Sequence, residues 1–102
     1  MMKMNFNDYQ SLANKTLYGN EQVLTNCALG LASETGEVLD IIQKYTFESQ
    51  PLNREALIKE MGDVLWYLSQ ISEWANISFE EVAQTNIEML QKRFPDGYRV
   101  EA

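Results

Sequence analysis

The amino-acid sequence predicts an all-α protein with a four-helix-bundle-like core in a chain of 102 residues. Apolar residues recur every three to four positions along most of the chain, which is the period of an amphipathic helix. No stretch alternates apolar and polar residues as a half-buried strand does. Pro51 and Pro95 both stand at boundaries of such helical segments. We therefore expect one domain over residues 1–102, with a core thin enough to favour self-association.

The first two predicted helices differ in length. The first runs from about Asn7 to Leu17 and ends at the Gly19-Asn20 pair, which breaks a helix. The second is long, from about Glu21 to Tyr45, and is followed by a short loop over residues 46–52.

The third and fourth helices carry clearer start and stop signals. The third begins near Asn53 and runs to about Trp74, and it follows the second closely enough to form a helix hairpin. The fourth begins at Ser78, which has an acidic residue three positions later in the form of a capping box. It stops at Pro95. Four helices joined by short connections predict a bundle.

Composition and charge exclude several classes of function. A net charge of −7 disfavours binding to nucleic-acid polymers or acidic membranes, and no run approaches the ~20 apolar residues of a membrane span. The chain has no histidine, which removes imidazole catalysis and argues against a di-iron carboxylate bundle. Cys27 is the single cysteine and is predicted to be a small core residue. Together with the lack of an apolar leader, it favours a cytoplasmic location.

Four acidic residues lie unexpectedly within apolar helical segments. Glu34 and Glu37 belong to the second helix, and Glu60 and Asp63 belong to the third. Acids three positions apart project from nearly the same side of a helix. At 100° per residue, Glu34 and Glu60 fall in the middle of the apolar stripes, with the other two acids about 60° to one side. Because an unpaired buried carboxylate costs several kcal/mol, these acids need a cation, a hydrogen-bond network or protonation.

Basic partners for these acids are scarce. Of eight Lys and Arg residues, only Lys44 and Lys59 lie near the acid pairs in sequence. We therefore predict that the four carboxylates hold a hard divalent ion, Mg²⁺ or else Mn²⁺. The alternative is a structural carboxylate cluster in a non-catalytic helical interaction protein, because an E-x-x-E pair on a helix is usually a solvated face.

Three glycines and one amide lie at positions that call for an explanation. Gly36 and Gly62 lie roughly opposite the acids, and each costs about 1 kcal/mol relative to Ala in a helix. We predict that they pack closely against another helix or subunit, simple tolerance being the alternative. Gly30 lies on the acid side and is predicted to leave room for a ligand. Helical spacing places Asn86 on the inner face of the fourth helix, as a structural amide or a ligand for a sugar or phosphate.

This ordered set of residues resembles the MazG-like all-α nucleotide pyrophosphohydrolases, whose hallmark is E-x-x-E, a spacer and E-x-x-D. In this chain 22 residues separate Glu37 from Glu60. The matching surroundings are residues 30–44, 59–68 and 86–98, with Tyr9, Gln10 and Thr16 near the start. The resemblance thus spans about residues 9–98. One departure is Met89, which stands where family members commonly carry a lysine, so a phosphate-contacting lysine on this helix is not assigned there.

The resemblance implies hydrolysis of a nucleoside triphosphate between the α and β phosphates, as part of nucleotide-pool housecleaning. It implies that the four acids hold Mg²⁺ and that one of them, for which we choose Glu37, takes a proton from the attacking water. The implied substrate-binding residues are Lys44, Asn86, Lys92 and Arg93. Candidates for stacking on the base are Trp66, Tyr67 and Trp74, with a place in the core as the more common alternative for aromatic residues on helices. The resemblance further implies a homodimer or homotetramer with the site near the subunit interface. It leaves the base and sugar open, since dUTP pyrophosphatases and phosphoribosyl-ATP pyrophosphohydrolases are both near relatives.

Overall fold

A computed structural model describes residues 3–19, 22–98 and 100, and over these residues it contains four α-helices and no strand. The helices are α1 (Phe6–Asn14), α2 (Val23–Phe47), α3 (Arg54–Trp74) and α4 (Phe79–Arg93). The all-α prediction is therefore confirmed. The long helices α2 and α3 form a hairpin with the largest interface in the chain, and α1 packs across α3 and α4. None of these described helices is long and apolar enough to span a bilayer.

The ends of the first two helices differ from the prediction. α1 ends at Asn14, before the predicted Leu17, because the N–H groups of Thr16 and Leu17 donate to carbonyls three residues back. Such bonds form a tighter turn than an α-helix. α2 continues two residues past the predicted end. Its predicted start at Glu21, like Asn20 of the predicted break, lies outside the described residues.

The other helix starts follow the capping signals. The Asn5 and Asp8 side chains form a reciprocal capping box at the start of α1. Asn53, the predicted start of the third helix, caps α3 by accepting a backbone N–H three residues later at 3.1 Å. Ser78 Oγ likewise accepts the N–H of Glu81 at 3.1 Å. A capping side chain satisfies a backbone donor that has no partner within the helix, which is why these positions fix the helix starts.

Side chains of α1 fasten the start of α4. The buried Gln10 amide donates through Nε2 to the Ile77 carbonyl at 2.9 Å, and its Oε1 accepts the Phe79 N–H at 2.8 Å. Asn7 Oδ1 accepts the Glu80 N–H at 3.0 Å. We call these five residues the α1–α4 clamp. The clamp supplies partners to two of the first N–H groups of α4, which no intrahelical carbonyl can reach.

The single chain buries few apolar side chains. Cys27 is buried as predicted, together with Ala13 and Phe79. Many large apolar residues of α2, α3 and α4 are exposed, among them Leu29, Leu39, Ile42, Tyr45, Ile58, Met61, Leu68, Ile87, Met89 and Leu90. A Cβ at Gly36 or Gly62 would meet nothing within 4 Å. The prediction that these glycines pack against another helix is therefore wrong within the chain. Packing against another subunit stays a prediction.

Candidate metal centre

The α2–α3 hairpin brings three of the four predicted acids together. Glu34 of α2 lies opposite Glu60 and Asp63 of α3, and each offers a carboxylate oxygen within 4.8 Å of the other two. All three side chains are half-buried. Glu34 lies 26 or more positions from the other two acids in sequence. They meet because α3 runs back along the apolar stripe of α2 in the hairpin. The result is a compact group of oxygen ligands, which we call the carboxylate cluster (Glu34, Glu60 and Asp63).

The electrostatics of the carboxylate cluster favour one shared proton. A hydrogen bond to Glu60 raises the pKa of Glu34 to about 7, and partial burial and the charges of Glu60 and Asp63 act in the same direction. The same contact, together with Lys59, lowers the pKa of Glu60. Glu34 is therefore the acid of this pair that takes up a proton first as the pH falls. Its second oxygen, Oε2, is buried and has no hydrogen-bond partner.

Among the residues that the structure describes, Lys59 is the cation that contacts the cluster. Its Nζ lies 3.2 Å from Glu60 Oε1 and 3.3 Å from Asp63 Oδ2. Hydrogen bonds to Glu60 and Asp63 raise the pKa of the Lys59 ammonium, so it is charged at neutral pH. The Lys59 side chain is 69% exposed, in contrast to the 17% exposure of Glu60. Lys59 was noted to lie near the acids in sequence, but no function was assigned to it from the sequence alone. The four-residue spacing to Asp63 was the available signal.

The donor set suits a hard divalent ion. Carboxylate oxygens are the ligands that Mg²⁺ and Mn²⁺ prefer. Mg²⁺ holds its ligands at about 2.0–2.1 Å, so two ligand oxygens lie at most about 4 Å apart. The oxygens of the cluster lie within 4.8 Å of one another, which is close to that spacing. Oε2 of Glu34 is buried without a hydrogen-bond partner, and such an ion would bind to its lone pair.

Glu37 lies apart from the cluster. It is on α2, one turn beyond Glu34, and it is exposed to solvent. The group of mutually close carboxylates does not include it. Its position at the edge of the apolar stripe agrees with the helical projection, which placed it about 60° from Glu34. The structure thus separates the acids into three that face one another and one that faces water.

Three aromatic side chains, those of Tyr67, Trp66 and Tyr9, lie at or near the hairpin. The Tyr67 ring fills the space beside Gly30, where an added Cβ would overlap it, so the prediction that Gly30 leaves room for a ligand is wrong. Trp66 packs edge-on against Tyr67 and donates through Nε1 to Thr16 Oγ1 at 2.8 Å. Burial, and then the charge of Asp63, raises the pKa of the Tyr9 hydroxyl. Tyr9 therefore belongs to the surroundings of the cluster, and no sequence spacing placed it there.

The predicted substrate-binding residues lie away from the cluster within one chain. Lys44 pairs with Asp40 at 2.9 Å on the exposed side of α2. Asn86, Lys92 and Arg93 are all exposed on α4, which packs on α1 and α3 and, over the described residues, makes no contact with α2.

The predicted inner position of Asn86 is wrong for the single chain. Asn86 is exposed to solvent in the middle of α4. The hydrogen bonds of the clamp hold the first turn of α4, at Phe79 and Glu80. Farther along, the α4 residues Ile87, Met89 and Leu90 are exposed as well. Helical spacing found a regular face on α4, but within the chain no helix covers that face around Asn86.

Fold and site together define a class of protein: an all-α chain in which a helix hairpin carries a carboxylate cluster suited to a hard metal ion. Residues 22–98 match the MazG nucleotide pyrophosphohydrolase domain, and the chain belongs to that family. It is also similar to the Gene 37 protein of Mycobacterium phage L5, with 31% identity over 78 residues that cover 72% of this chain and 68% of the phage protein. No solved structure matches the chain significantly. Family membership confirms the resemblance drawn from the E-x-x-E and E-x-x-D segments.

Proposed function

We propose that this protein is a Mg²⁺-dependent nucleoside triphosphate pyrophosphohydrolase that cleaves between the α and β phosphates. The observation that carries the proposal is the carboxylate cluster, in which three half-buried acids lie within 4.8 Å of one another. Its location on the hairpin of a MazG-family chain supplies the class of reaction. An unpartnered buried oxygen on Glu34 supports a ligand role for the cluster.

The four acids have two proposed roles, binding of the ion and abstraction of a proton from water. Glu34, Glu60 and Asp63, with Glu37 at the edge, would hold Mg²⁺, which when bound neutralises charge on the phosphate oxygens. Glu37 takes the proton from the attacking water, because it is exposed and lies outside the close group of three. The water oxygen bonds to the α phosphorus, the bond to the bridging oxygen breaks, and pyrophosphate leaves. Glu34 is a poorer choice for this base, because it is one of the three close carboxylates that would hold the ion.

The proposal is tested by Glu60→Gln. We expect this change to lower pyrophosphate release from nucleoside triphosphates by about 100-fold or more, because it removes a charged ligand from the cluster. Helicity measured by circular dichroism should stay the same, since glutamine has nearly the size and helix propensity of glutamate. Glu73→Gln is the matched control, an exposed acid on the same helix, and it retains full turnover. Unchanged turnover in Glu60→Gln overturns the proposal.

The substrate range is the next property to measure. The proposed substrates are nucleoside and deoxynucleoside triphosphates, including modified ones, in the cytoplasm, where the free thiol of Cys27 stays reduced. The base-stacking residues that we propose are Trp66, Tyr67 and Trp74. A panel of canonical and modified nucleotides, assayed for pyrophosphate release with and without Mg²⁺, identifies the preferred base and sugar.

We propose further that the protein acts as a homodimer or homotetramer. The exposed apolar side chains of α2, α3 and α4 support this, because monomers rarely leave so many large apolar residues in water. A partner subunit is also the route by which Asn86, Lys92 and Arg93 can reach a carboxylate cluster that α4 does not approach in its own chain. Sedimentation velocity tests this proposal, and a monomer at all concentrations contradicts it.

One observation favours a second candidate function, a non-catalytic helical interaction protein. Lys59 and the proton shared by Glu34 and Glu60 already offset part of the negative charge of the cluster without a metal. A purely structural cluster predicts no rise in melting temperature with Mg²⁺ or Mn²⁺ and no hydrolysis of nucleotides. A metal-dependent rise of several degrees decides against it, because only a ligand that binds the folded state shifts the transition upward.

A further inference from the structure

Lys59 occupies a distinctive position in the metal-free protein. Its ammonium bridges Glu60 and Asp63 at 3.2 and 3.3 Å, so it contacts two of the three carboxylates of the cluster. Both carboxylates belong to the group of three that could hold a divalent ion. At the same time the Lys59 side chain is 69% exposed, and no buried contact holds it in place. The cation is therefore bound loosely at the site where a metal would bind tightly.

A divalent ion would compete with the ammonium for the same two carboxylates. An exposed ion pair between residues one turn apart on a helix contributes little to stability, because water screens the charges and two long side chains must be ordered. An ion held by three converging carboxylates is bound more strongly and repels a nearby ammonium. Metal binding therefore displaces the Lys59 ammonium from Glu60 and Asp63. Since Lys59 precedes Glu60 directly in α3, the freed ammonium remains beside the site.

Three other cations within the described residues are poorly placed to replace it. Lys44 is paired with Asp40 at 2.9 Å. Lys92 and Arg93 lie in the last turn of α4, which, over the described residues, does not contact α2. Met89 supplies no charge on α4 either. A triphosphate held through a metal at the carboxylate cluster would bring negative oxygens near Lys59, which contacts two of the three carboxylates.

We propose that Lys59 is a tethered cation that occupies the carboxylate cluster in the metal-free protein and turns to the phosphates of the substrate when a divalent ion replaces it. This inference rests on the proposed function and assigns Lys59 a positioning role in it. It predicts two opposite effects of removing the charge. The metal alone binds more tightly without its competitor, whereas a phosphate ligand binds less tightly in the presence of metal.

The test compares Lys59→Met, Lys59→Arg and the wild type in two binding measurements. Isothermal titration with Mg²⁺ alone is expected to show a Kd about threefold to tenfold lower in Lys59→Met, because a unit positive charge has left the site. Titration with pyrophosphate at saturating Mg²⁺ is expected to show a Kd about tenfold higher in the same variant. Lys59→Arg keeps the charge and restores both values to within about threefold of the wild type.

A control variant and the possible outcomes separate this inference from the proposed function. Lys15→Met removes an exposed lysine after α1 and is expected to leave both Kd values unchanged. Methionine is a good helix former, so Lys59→Met remains folded. If the wild type hydrolyses nucleotides but Lys59→Met binds Mg²⁺ no more tightly, or binds pyrophosphate equally well, this inference is overturned and the proposed function stands. If the wild type neither binds Mg²⁺ nor hydrolyses nucleotides, both are overturned.

Discussion

The α1–α4 clamp and the carboxylate cluster are both polar groups assembled from distant segments, yet they differ in how their partners are matched. In the clamp, the Gln10 amide both donates to Ile77 and accepts from Phe79 at ordinary distances. In the cluster, three acceptors face one another, and Glu34 Oε2 has no partner. The clamp is complete within one chain, whereas the cluster is complete only with a proton or a cation.

The comparison distinguishes polar side chains that stabilise the fold from polar side chains that are suited to bind a ligand. A buried amide with both ends bonded stabilises the packing of α1 on the α3–α4 turn and is satisfied without a ligand. Converging carboxylates destabilise the fold unless something positive binds there, and the raised pKa of Glu34 reflects this cost. The resemblance singled out Tyr9 and Gln10, which are neighbours in sequence. Gln10 belongs to the clamp, whereas the Tyr9 hydroxyl lies near Asp63 of the cluster.

The largest expected effect comes from breaking the cluster at Asp63. Asp63→Asn should lower turnover by about 100-fold or more, because a neutral amide is a weak ligand for a hard cation. Its melting temperature in chelator should hardly change, since the variant removes like-charge repulsion as well as one exposed ion pair. Steady-state kinetics and thermal unfolding measure the two effects. Asp96→Asn, an exposed acid after α4, serves as the control and keeps both values.

Breaking the clamp should give the opposite pattern. Gln10→Ala leaves the buried Phe79 N–H and the Ile77 carbonyl without partners, which should lower the free energy of unfolding by about 2–4 kcal/mol. Turnover per folded molecule should be unchanged. Gln84→Ala removes an exposed bond to Glu88 and should cost less than about 0.5 kcal/mol. Urea unfolding at a fixed protein concentration measures both, and equal losses in the two variants contradict the comparison.

Two glycines of α2 sharpen the contrast between a packed and an open part of the hairpin. Gly30→Ala forces a Cβ into the Tyr67 ring and should destabilise the protein by about 1–3 kcal/mol. Gly36→Ala meets nothing in the chain and should stabilise α2 by about 0.5–1 kcal/mol. Thermal unfolding at several protein concentrations measures both. A concentration-dependent loss of stability in Gly36→Ala instead places this glycine in a subunit contact.

The smallest expected effect is a dependence of stability on pH. The folded-state pKa of Glu34 is raised from 4.5 to about 7, so its favourable contribution is complete below about pH 4.5 and is lost as the pH rises through 7. The melting temperature in chelator should therefore fall by a few degrees between pH 5 and pH 8. The chain has no histidine to titrate in the same range. Glu34→Gln, which mimics the protonated acid, should abolish this fall, and a fall of equal size in that variant contradicts the assignment.

Saturating Mg²⁺ should also abolish the pH dependence in the wild-type protein. A bound divalent ion replaces the proton on Glu34, so metal binding near pH 7 releases a proton. Titration calorimetry in buffers of different ionisation enthalpy measures that proton. Release of no proton at pH 6.5 indicates that Glu34 takes no part in binding the ion.

The sequence was most informative where local chemistry decides. Asn53 and Ser78 start α3 and α4 as predicted, because a capping side chain satisfies a backbone donor only three residues away. Glu34, Glu60 and Asp63 were found because an acid within an apolar stripe conflicts with burial. Asn86 was misplaced since a helical projection identifies a face but not whether anything covers it.

Contacts between distant segments decided the rest. The sequence by itself determined four helices, the position of the acids on two of them, and the family to which those acids point, because periodicity, capping and spacing are local properties. Only the tertiary structure decided that Glu37 stands apart, that Tyr67 fills the space at Gly30, and that Lys59 bridges two carboxylates. Those outcomes depend on the register of α2 against α3 and on side-chain rotamers, which follow from packing across the hairpin and not from either helix alone.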